Sequence, residues 1–409
     1  MAQSSDHFKG FEPHTLLKHA VLKAYLQTWS RKMLLRPGAT SAICIVDACA
    51  GAGRDEEGNP GSPVLAAEVA ADAERQLQED PRLRARLRGP IRIQLVAIEK
   101  KPSFYRRLVK NLSEHSQRVS VLHGTLAEYI DEHYEQLKDT PTLFFIDPFG
   151  LAPVQADVIR RALRGPKNEV LLLFADQAAL RHFGVATASA LDVEAEIAAR
   201  TEQFGLFEAP EAQLSNARKE VQARTTALEL TAPIAVQILN AAFGSDNWRS
   251  IIEATPQRER RRRFEDLYVE LLHSFGATHV LPLRMRNDRD QHVYTLLHAT
   301  QSVHGYTAMK EVISSALERA PLSEVAIASM RFQIASDLPA VERTIRRRFA
   351  ATTVPWAEQP DGSPSIRQFV LEETPAFNFE LRTLRKRLSN EKCGGRGPEM
   401  YTFPPAPDA

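Results

Sequence analysis

Two short stretches hold residues whose types and spacing can do chemistry. In Ile43-Cys-Ile-Val-Asp-Ala-Cys-Ala-Gly-Ala-Gly53 a strand-forming run ends in Asp47, and Gly51 and Gly53 sit in the turn that follows. Glycine lets backbone approach a ligand closely and take φ values that other residues resist. Strand, glycine-rich turn and helix together make the usual cradle for a nucleoside-bearing cofactor in an α/β sheet. The spacing Asp-x-x-x-Gly-x-Gly is not Gly-x-Gly-x-x-Gly, and it suits S-adenosylmethionine better than NAD. Asp47 is then expected near the ammonium of the cofactor's amino-acid end, with Cys49 in the same turn; the plainer reading of Asp47 is a helix cap.

The second stretch is Leu143-Phe-Phe-Ile-Asp-Pro-Phe-Gly150, where four apolar residues run into Asp147-Pro148-Phe149. Pro148 fixes φ and removes a donor, so the chain turns sharply where the strand ends. Asp147 and the Pro148 carbonyl are acceptors that can orient an exocyclic amine toward a methyl group, and Phe149 can stack on the ring bearing that amine. Otherwise Asp147 caps the next helix and Phe149 belongs to a core. Glu99 closes the strand-forming run Arg92 to Ile98, where an acidic residue holds two ribose hydroxyls through paired charge-assisted bonds. As a plain structural residue it would cap the helix over 103–112.

Holding these groups together calls for a parallel sheet. Strands are expected at 42–47, 92–98, 119–122, 143–146 and 169–175, alternating with helices, the first of them over 13–30. Near-continuous apolar strands indicate a sheet covered on both faces. Residues of about 177–256 read as a helical insertion. Strands at 278–285 and 292–299 then form a hairpin, and a helix follows at 305–317. The expected fold is α/β, a Rossmann-like class I methyltransferase sheet with an antiparallel C-terminal hairpin. It occupies residues 1–318, followed by a helix-rich, winged-helix-like domain over 319–409. In that second part Ser365 to Glu373 and Phe379 to Leu388 resemble paired helices, with Gly394-Gly-Arg-Gly397 as a wing.

Bulk properties narrow the classes. At 409 residues the chain exceeds one minimal core. Lys and Arg number 52 against 51 Asp and Glu, a net charge of +1, so binding to nucleic acid must use local patches. Candidate patches are Arg260 to Arg263, extended by Arg284, Arg286 and Arg289, and two C-terminal clusters. These are Arg343, Arg346, Arg347 and Arg348, and Arg382, Arg385, Lys386 and Arg387. Four consecutive arginines sweep round a helix, so a solvated face is the plainer reading. Cys44, Cys49 and Cys393 lack metal-ligand spacing and suit a reducing cytosol. No signal peptide and no apolar run of membrane-spanning length is read, so a cytoplasmic chain without a metal is expected.

These residues resemble the bacterial three-Cys-motif partner proteins (TcmP). The resemblance rests on Lys18 to Trp29, Val46 to Gly53, Gly61-Ser-Pro63, Ala97-Ile-Glu-Lys100, Phe145 to Gly150, and Tyr294 to Lys310. It implies a class I methyltransferase fold and a neighbouring protein bearing three cysteines as partner. It does not bear on this chain's own cysteines. Asp147-Pro-Phe-Gly150 also looks like the site motif of tRNA guanosine N2-dimethyltransferases. DNA amino-methyltransferases carry Asn/Asp-Pro-Pro-aromatic instead, and the second proline is missing here. Thr125 stands where an acidic residue usually bonds the cofactor's adenine amine; its hydroxyl accepts more weakly, and Glu128 is the substitute.

The expected activity is transfer of a methyl group from S-adenosylmethionine to an exocyclic amine of a nucleic-acid base. The alternative is a non-catalytic nucleic-acid- or protein-binding partner that keeps the fold. A dinucleotide-dependent oxidoreductase is disfavoured by the missing third glycine.

Overall fold

The computed structural model describes residues 13–35, 41–87, 89–188, 211–287, 289–318, 333–334, 336–360, 362–393 and 398–405. In chain order the elements begin with α1 (Pro13–Leu35), β1 (Ala42–Asp47), α2 (Ser62–Glu79), the short α3 (Pro81–Arg84), β2 (Arg92–Glu99) and α4 (Pro102–Asn111). They continue with β3 (Val119–His123), α5 (Leu126–Asp139), β4 (Thr142–Ile146), α6 (Ala156–Ala162), β5 (Glu169–Phe174) and α7 (Asp176–Thr187). Then come α8 (Glu211–Phe243), α9 (Trp248–Glu253), α10 (Arg260–Ser274), β6 (His279–Arg286), β7 (His292–Thr300) and α11 (Val303–Glu318). The last are β8 (Gln333–Ile334), α12 (Leu338–Arg348), β9 (Thr353–Pro355), α13 (Ile366–Glu373), α14 (Leu381–Arg387), β10 (Lys392–Cys393) and β11 (Met400–Thr402).

The main sheet runs β3-β2-β1-β4-β5-β7-β6-β8. The first five strands are mutually parallel, while β7 is antiparallel to both β5 and β6. That order, with the reversed strand inserted next to β5, is the sheet of a Rossmann-like class I methyltransferase. β1, β4 and β5 are apolar along nearly their whole length because helices cover both faces. Leu17, Val21, Leu22, Tyr25, Leu26 and Trp29 recur at helical spacing and bury one face of α1 in the core with α2 and the sheet. Every expected strand is present to within about a residue or two at its ends.

The chain clusters into two compact units. One comprises Met1–Asp147, Val158–Phe174 and Leu272–Ala409; the other comprises Pro148–Asp157 and Ala175–Leu271. The second unit is helical, as the insertion was expected to be, and Phe183, Phe243, Trp248 and Phe264 form its aromatic centre. Its segment Gln222–Phe243 is long and apolar enough to cross a membrane, which corrects the expectation that no run is. Alanine, leucine and isoleucine follow Arg224 with a single acid, Glu229, among them. Only 22% of this apolar stretch is buried, and Leu230 and Ile234 are exposed.

Within the first unit the C-terminal part has its own core of Val341, Ile345, Trp356, Ile366, Leu384 and Tyr401. Its order is helix, strand, two helices and two strands, with a three-stranded sheet β10-β11-β9. This is the connectivity of a winged helix. The wing proposed at Gly394 to Gly397 lies outside the described residues. Lys310 and Tyr306 of α11 tie this part to the rest of the unit. Both donate to the Thr374 carbonyl, and Lys310 also donates to Leu371 O at 2.6 Å and Val370 O at 3.0 Å.

Candidate functional site

The parallel strands deliver their acidic residues to one edge. β1 ends in the fully buried Asp47, β2 ends in Glu99, and Asp147 follows β4 directly. Register aligns these ends, with Asp47 beside Ala97 on one side and Phe145 on the other.

The turn after β1 takes the left-handed backbone that its glycines permit. Gly51 has φ +61° and Gly53 φ +80°. The two differ in surroundings. A Cβ on Gly53 would meet Leu108 Cδ1 at 3.0 Å, because this residue packs against α4, whereas a Cβ on Gly51 would have nothing within 4 Å. Gly53 also binds the chain together, accepting from Gly61 N at 2.8 Å, and the neighbouring Ala52 carbonyl accepts from Asn111. Gly51 therefore offers the open approach and Gly53 the packing. Glu99 reaches back to this turn: Oε2 accepts from Gly51 N at 2.9 Å and Oε1 from Lys101 N at 2.6 Å. Its bond to Lys101 precedes α4, whose N-terminus has no side-chain cap, so Glu99 does not cap that helix as the plainer reading has it; it lies on the glycine turn.

Asp47 is 1% exposed. Its Oδ1 accepts from Cys49 N at 3.3 Å, but Oδ2 has no hydrogen-bond partner among the described residues. Burial pushes its pKa up to about 7; the nearby Ser62 hydroxyl and Cys49 N–H offset part of this, Asp147 adds to it, and Lys18 works against it. A buried carboxylate of this kind is a place for a cation. Cys49 lies among Asp47, Asp147 and Glu99. Burial first, and those three carboxylates second, raise its thiol pKa, so it remains a neutral thiol.

Asp147 is not an isolated acceptor. The ammonium of Lys18, from α1, pairs with its Oδ2, and the two side chains are 9% and 23% exposed. His19, next to Lys18, is lowered to about 4 by burial and by Lys18. Tyr294 of β7 is buried and raised by burial and by Asp147. Sequence reading missed the roles of Lys18, His19 and Tyr294. The signal available was a polar pair, Lys18-His19, set between Leu17 and Val21 on the apolar face of a helix. Phe149 is 80% exposed.

Thr125 and Glu128 are spent on each other. Thr125 is the N-cap of α5: its hydroxyl accepts from Glu128 N at 3.3 Å, and the Glu128 carboxylate accepts from Thr125 N at 2.7 Å and from its hydroxyl at 2.9 Å. These bonds, the Thr125 hydroxyl foremost, lower the Glu128 pKa.

Several of the other charged groups also have partners among the described residues. Asp176 is 4% exposed in the first turn of α7. There it accepts from Gln177 N, with Arg261 at 3.9 Å. Arg260 donates to Thr255 O and lies over the Phe183 ring; Arg262 pairs with Asp266 and Arg263 with Glu270, both at 2.9 Å. Arg284 is 7% exposed and lies in the sheet, so it cannot extend a surface patch as expected. In the C-terminal clusters Arg385 pairs with Glu399, and Arg387 and Arg346 with Glu342. Arg382 and Lys386 of α14 are exposed and make no ion pair among the described residues.

No protein-family model matches the chain, and no curated protein matches it. Solved structures do resemble it. Fibrillarin from Methanococcus jannaschii shares 13% identity over 52% of this chain and 65% of its own, with a TM-score of 0.25, so this chain spans just under two thirds of it. The precorrin-6y C5,15-methyltransferase of Geobacter metallireducens shares 10% over 74% and 94%, with a TM-score of 0.29. A SAM-dependent methyltransferase of Geobacter sulfurreducens, solved with S-adenosyl-L-homocysteine, shares 13% over 71% and 92%, with a TM-score of 0.26. Likeness at this level says nothing of substrate. The fold assignment rests on strand order and register.

Proposed function

We propose that this chain is an S-adenosylmethionine-dependent methyltransferase acting on an exocyclic amine of a nucleic-acid base. One observation carries the reading: a fully buried Asp47, one oxygen of which has no hydrogen-bond partner among the described residues, at the end of the strand that leads into an open glycine turn. A cation at that oxygen offsets the burial that raises Asp47, and the cofactor's amino-acid end supplies one. Gly51 leaves room for backbone contact, and Glu99 lies on the same turn, within reach of ribose hydroxyls. When bound, the cofactor supplies a methyl group on a positively charged sulfur, which makes the transfer a single displacement.

The chain supplies alignment. Asp147 and the Pro148 carbonyl accept from the amine and turn its lone pair toward the donor, and Phe149 provides the stacking ring. Lys18 balances the Asp147 charge beside Asp47. The nucleic-acid part of the reading draws support from the winged-helix connectivity and from the exposed Arg382 and Lys386 on α14. Arg260 to Arg263, each with an internal partner, give it little. The resemblance to three-Cys-motif partner proteins belongs to the same proposal, as do a three-cysteine protein partner and a cytoplasmic setting.

A second reading is favoured by two contacts. Lys18 on Asp147, and Thr125 on Glu128, each occupy groups that substrate or cofactor would use. In that case the chain is a non-catalytic nucleic-acid- or protein-binding partner with a methyltransferase fold. Calorimetry with S-adenosylmethionine and with NAD, followed by radiolabelled methyl transfer to total RNA, DNA and protein, separates the two. Binding of S-adenosylmethionine with label entering nucleic acid supports the enzyme. Failure to bind it supports the partner, and binding of NAD alone removes both.

A further inference from the structure

Helix α14 carries its cations in two sets. Leu384 and Leu388 are fully buried in the core of the C-terminal part. Arg382 and Lys386, four residues apart, fall together on the opposite face of the helix and are exposed. The other two cations turn back to the protein. Arg387 pairs with Glu342 of α12 at 2.6 Å, and Arg385 pairs with Glu399. Glu342 is 9% exposed and also holds Arg346, which bonds Glu391 at 2.8 Å; Lys392 lies 2.9 Å from Glu399. These three acids are therefore taken by inward-turned cations. Helix α14 itself contains no acid, and Arg382 and Lys386 make no ion pair among the described residues.

A cationic face with no acid to offset it attracts an anion. The form of that anion follows from the rings. Single strands are held by bases that stack on exposed aromatic side chains beside the cations. Among the described residues of the C-terminal part no aromatic ring is exposed; Phe349, Trp356, Tyr401 and Phe403 are buried in its core and Phe369 packs against them. A duplex keeps its bases stacked inside and presents phosphates, for which a cationic helix face without rings suffices. Moreover, α13 and α14 follow one another as a helix pair, the arrangement in which the second helix faces a groove.

We infer that α14 is a docking face for duplex nucleic acid, with Arg382 and Lys386 on the phosphates of paired strands. This rests on the nucleic-acid reading above and adds the form of the polymer. The substrate arrives paired, and its target base leaves the stack to reach the carboxyl edge of the sheet.

Fluorescence anisotropy of the full chain tests this, with a labelled mixed-sequence DNA duplex, the matching RNA duplex and one labelled single strand as probes. At least one duplex is expected to bind about 10-fold more tightly than the single strand, and the one that does so names the polymer. Arg382→Glu with Lys386→Glu should weaken duplex binding by about 10-fold or more and reduce the slope of log affinity against log salt by about 2. The same charge change at the exposed Arg82 and Arg84 of α3, Arg82→Glu with Arg84→Glu, should leave that slope unchanged. All four side chains are exposed, so the fold is not at stake in either variant. These readings need no cofactor. Duplex binding through α14 by a chain that fails to bind S-adenosylmethionine supports the docking face and removes the enzyme. Methyl transfer to nucleic acid with a KM that ignores the α14 variant overturns the docking face and keeps the enzyme. Absence of duplex binding, equal binding of the single strand, or equal effects of the α3 and α14 variants also overturns it.

Discussion

Lys18 and Asp147, 129 residues apart in sequence, form an ion pair at the carboxyl edge of the sheet, next to a second carboxylate, Asp47, that has no such partner among the described residues. The pair is partly buried, so removing one member leaves a poorly solvated charge. Lys18→Met is expected to destabilise the chain by about 1–3 kcal/mol, the lower figures reflecting the partial exposure of Asp147. The double variant Lys18→Met with Asp147→Asn is expected to recover part of that loss. Denaturant unfolding of the four members of the cycle measures it, and strict additivity would mean that the pair contributes nothing.

Asp147→Ala separates chemistry from binding. Transfer is expected to vanish while the affinity for S-adenosylmethionine stays within a few-fold, as read by calorimetry beside a radiolabel assay. Loss of affinity instead would move Asp147 from orienting the amine to holding the cofactor.

The pKa of Asp47, raised to about 7 from 3.8, has two consequences of opposite use. Between those values the folded chain holds a proton that the unfolded chain has lost, so stability falls as pH rises from about 4 to about 7. Asp47→Asn should remove that slope and raise the melting temperature at pH 8. Cofactor binding runs the other way. A cation needs the ionised carboxylate, so affinity should climb through pH 7 and level off above it. In Asp47→Asn the affinity should be weak and flat with pH.

Gly51→Ala and Gly53→Ala should part company. Both place a side chain at positive φ, at a cost of about 1–2 kcal/mol. Gly53→Ala adds a clash with Leu108 and should lose more stability. Gly51→Ala meets open space in the folded chain, so its main loss should be in cofactor affinity.

Lys310 provides a test of the C-terminal attachment. Burial lowers its pKa to about 7, while its ammonium gathers the last carbonyls of α13. Between about pH 7 and 10.5 the unfolded chain binds a proton that the folded chain lacks, so stability should rise with pH across that window. Lys310→Met should abolish the rise and cost about 1–3 kcal/mol through unpaired carbonyls. Melting curves across the window would read both effects.

The parallel strands were legible because burial on both faces leaves runs such as Leu143 to Ile146 with hardly a polar residue. Asp47, Gly51, Gly53 and Glu99 were legible because strand ends and turns leave short, local signatures. Lys18 was not, because its partner is 129 residues away and a lysine in a helix ordinarily faces water. Thr125 with Glu128 is the reverse case: a local capping box, visible as Thr-x-x-Glu, that was weighed only as a cofactor contact. The pairing of Arg262 with Asp266 and of Arg263 with Glu270 was open to the same local inspection.

Helix α1 carries Lys18 near one end and Tyr25 two turns on, so a single rigid rod supplies the counter-charge for Asp147 and the hydroxyl that engages Glu169. A shortened chain beginning at Ala42 would keep all seven major strands yet strip both carboxylates of these partners at once. The smallest autonomous version of this sheet therefore includes a helix that contributes no strand to it.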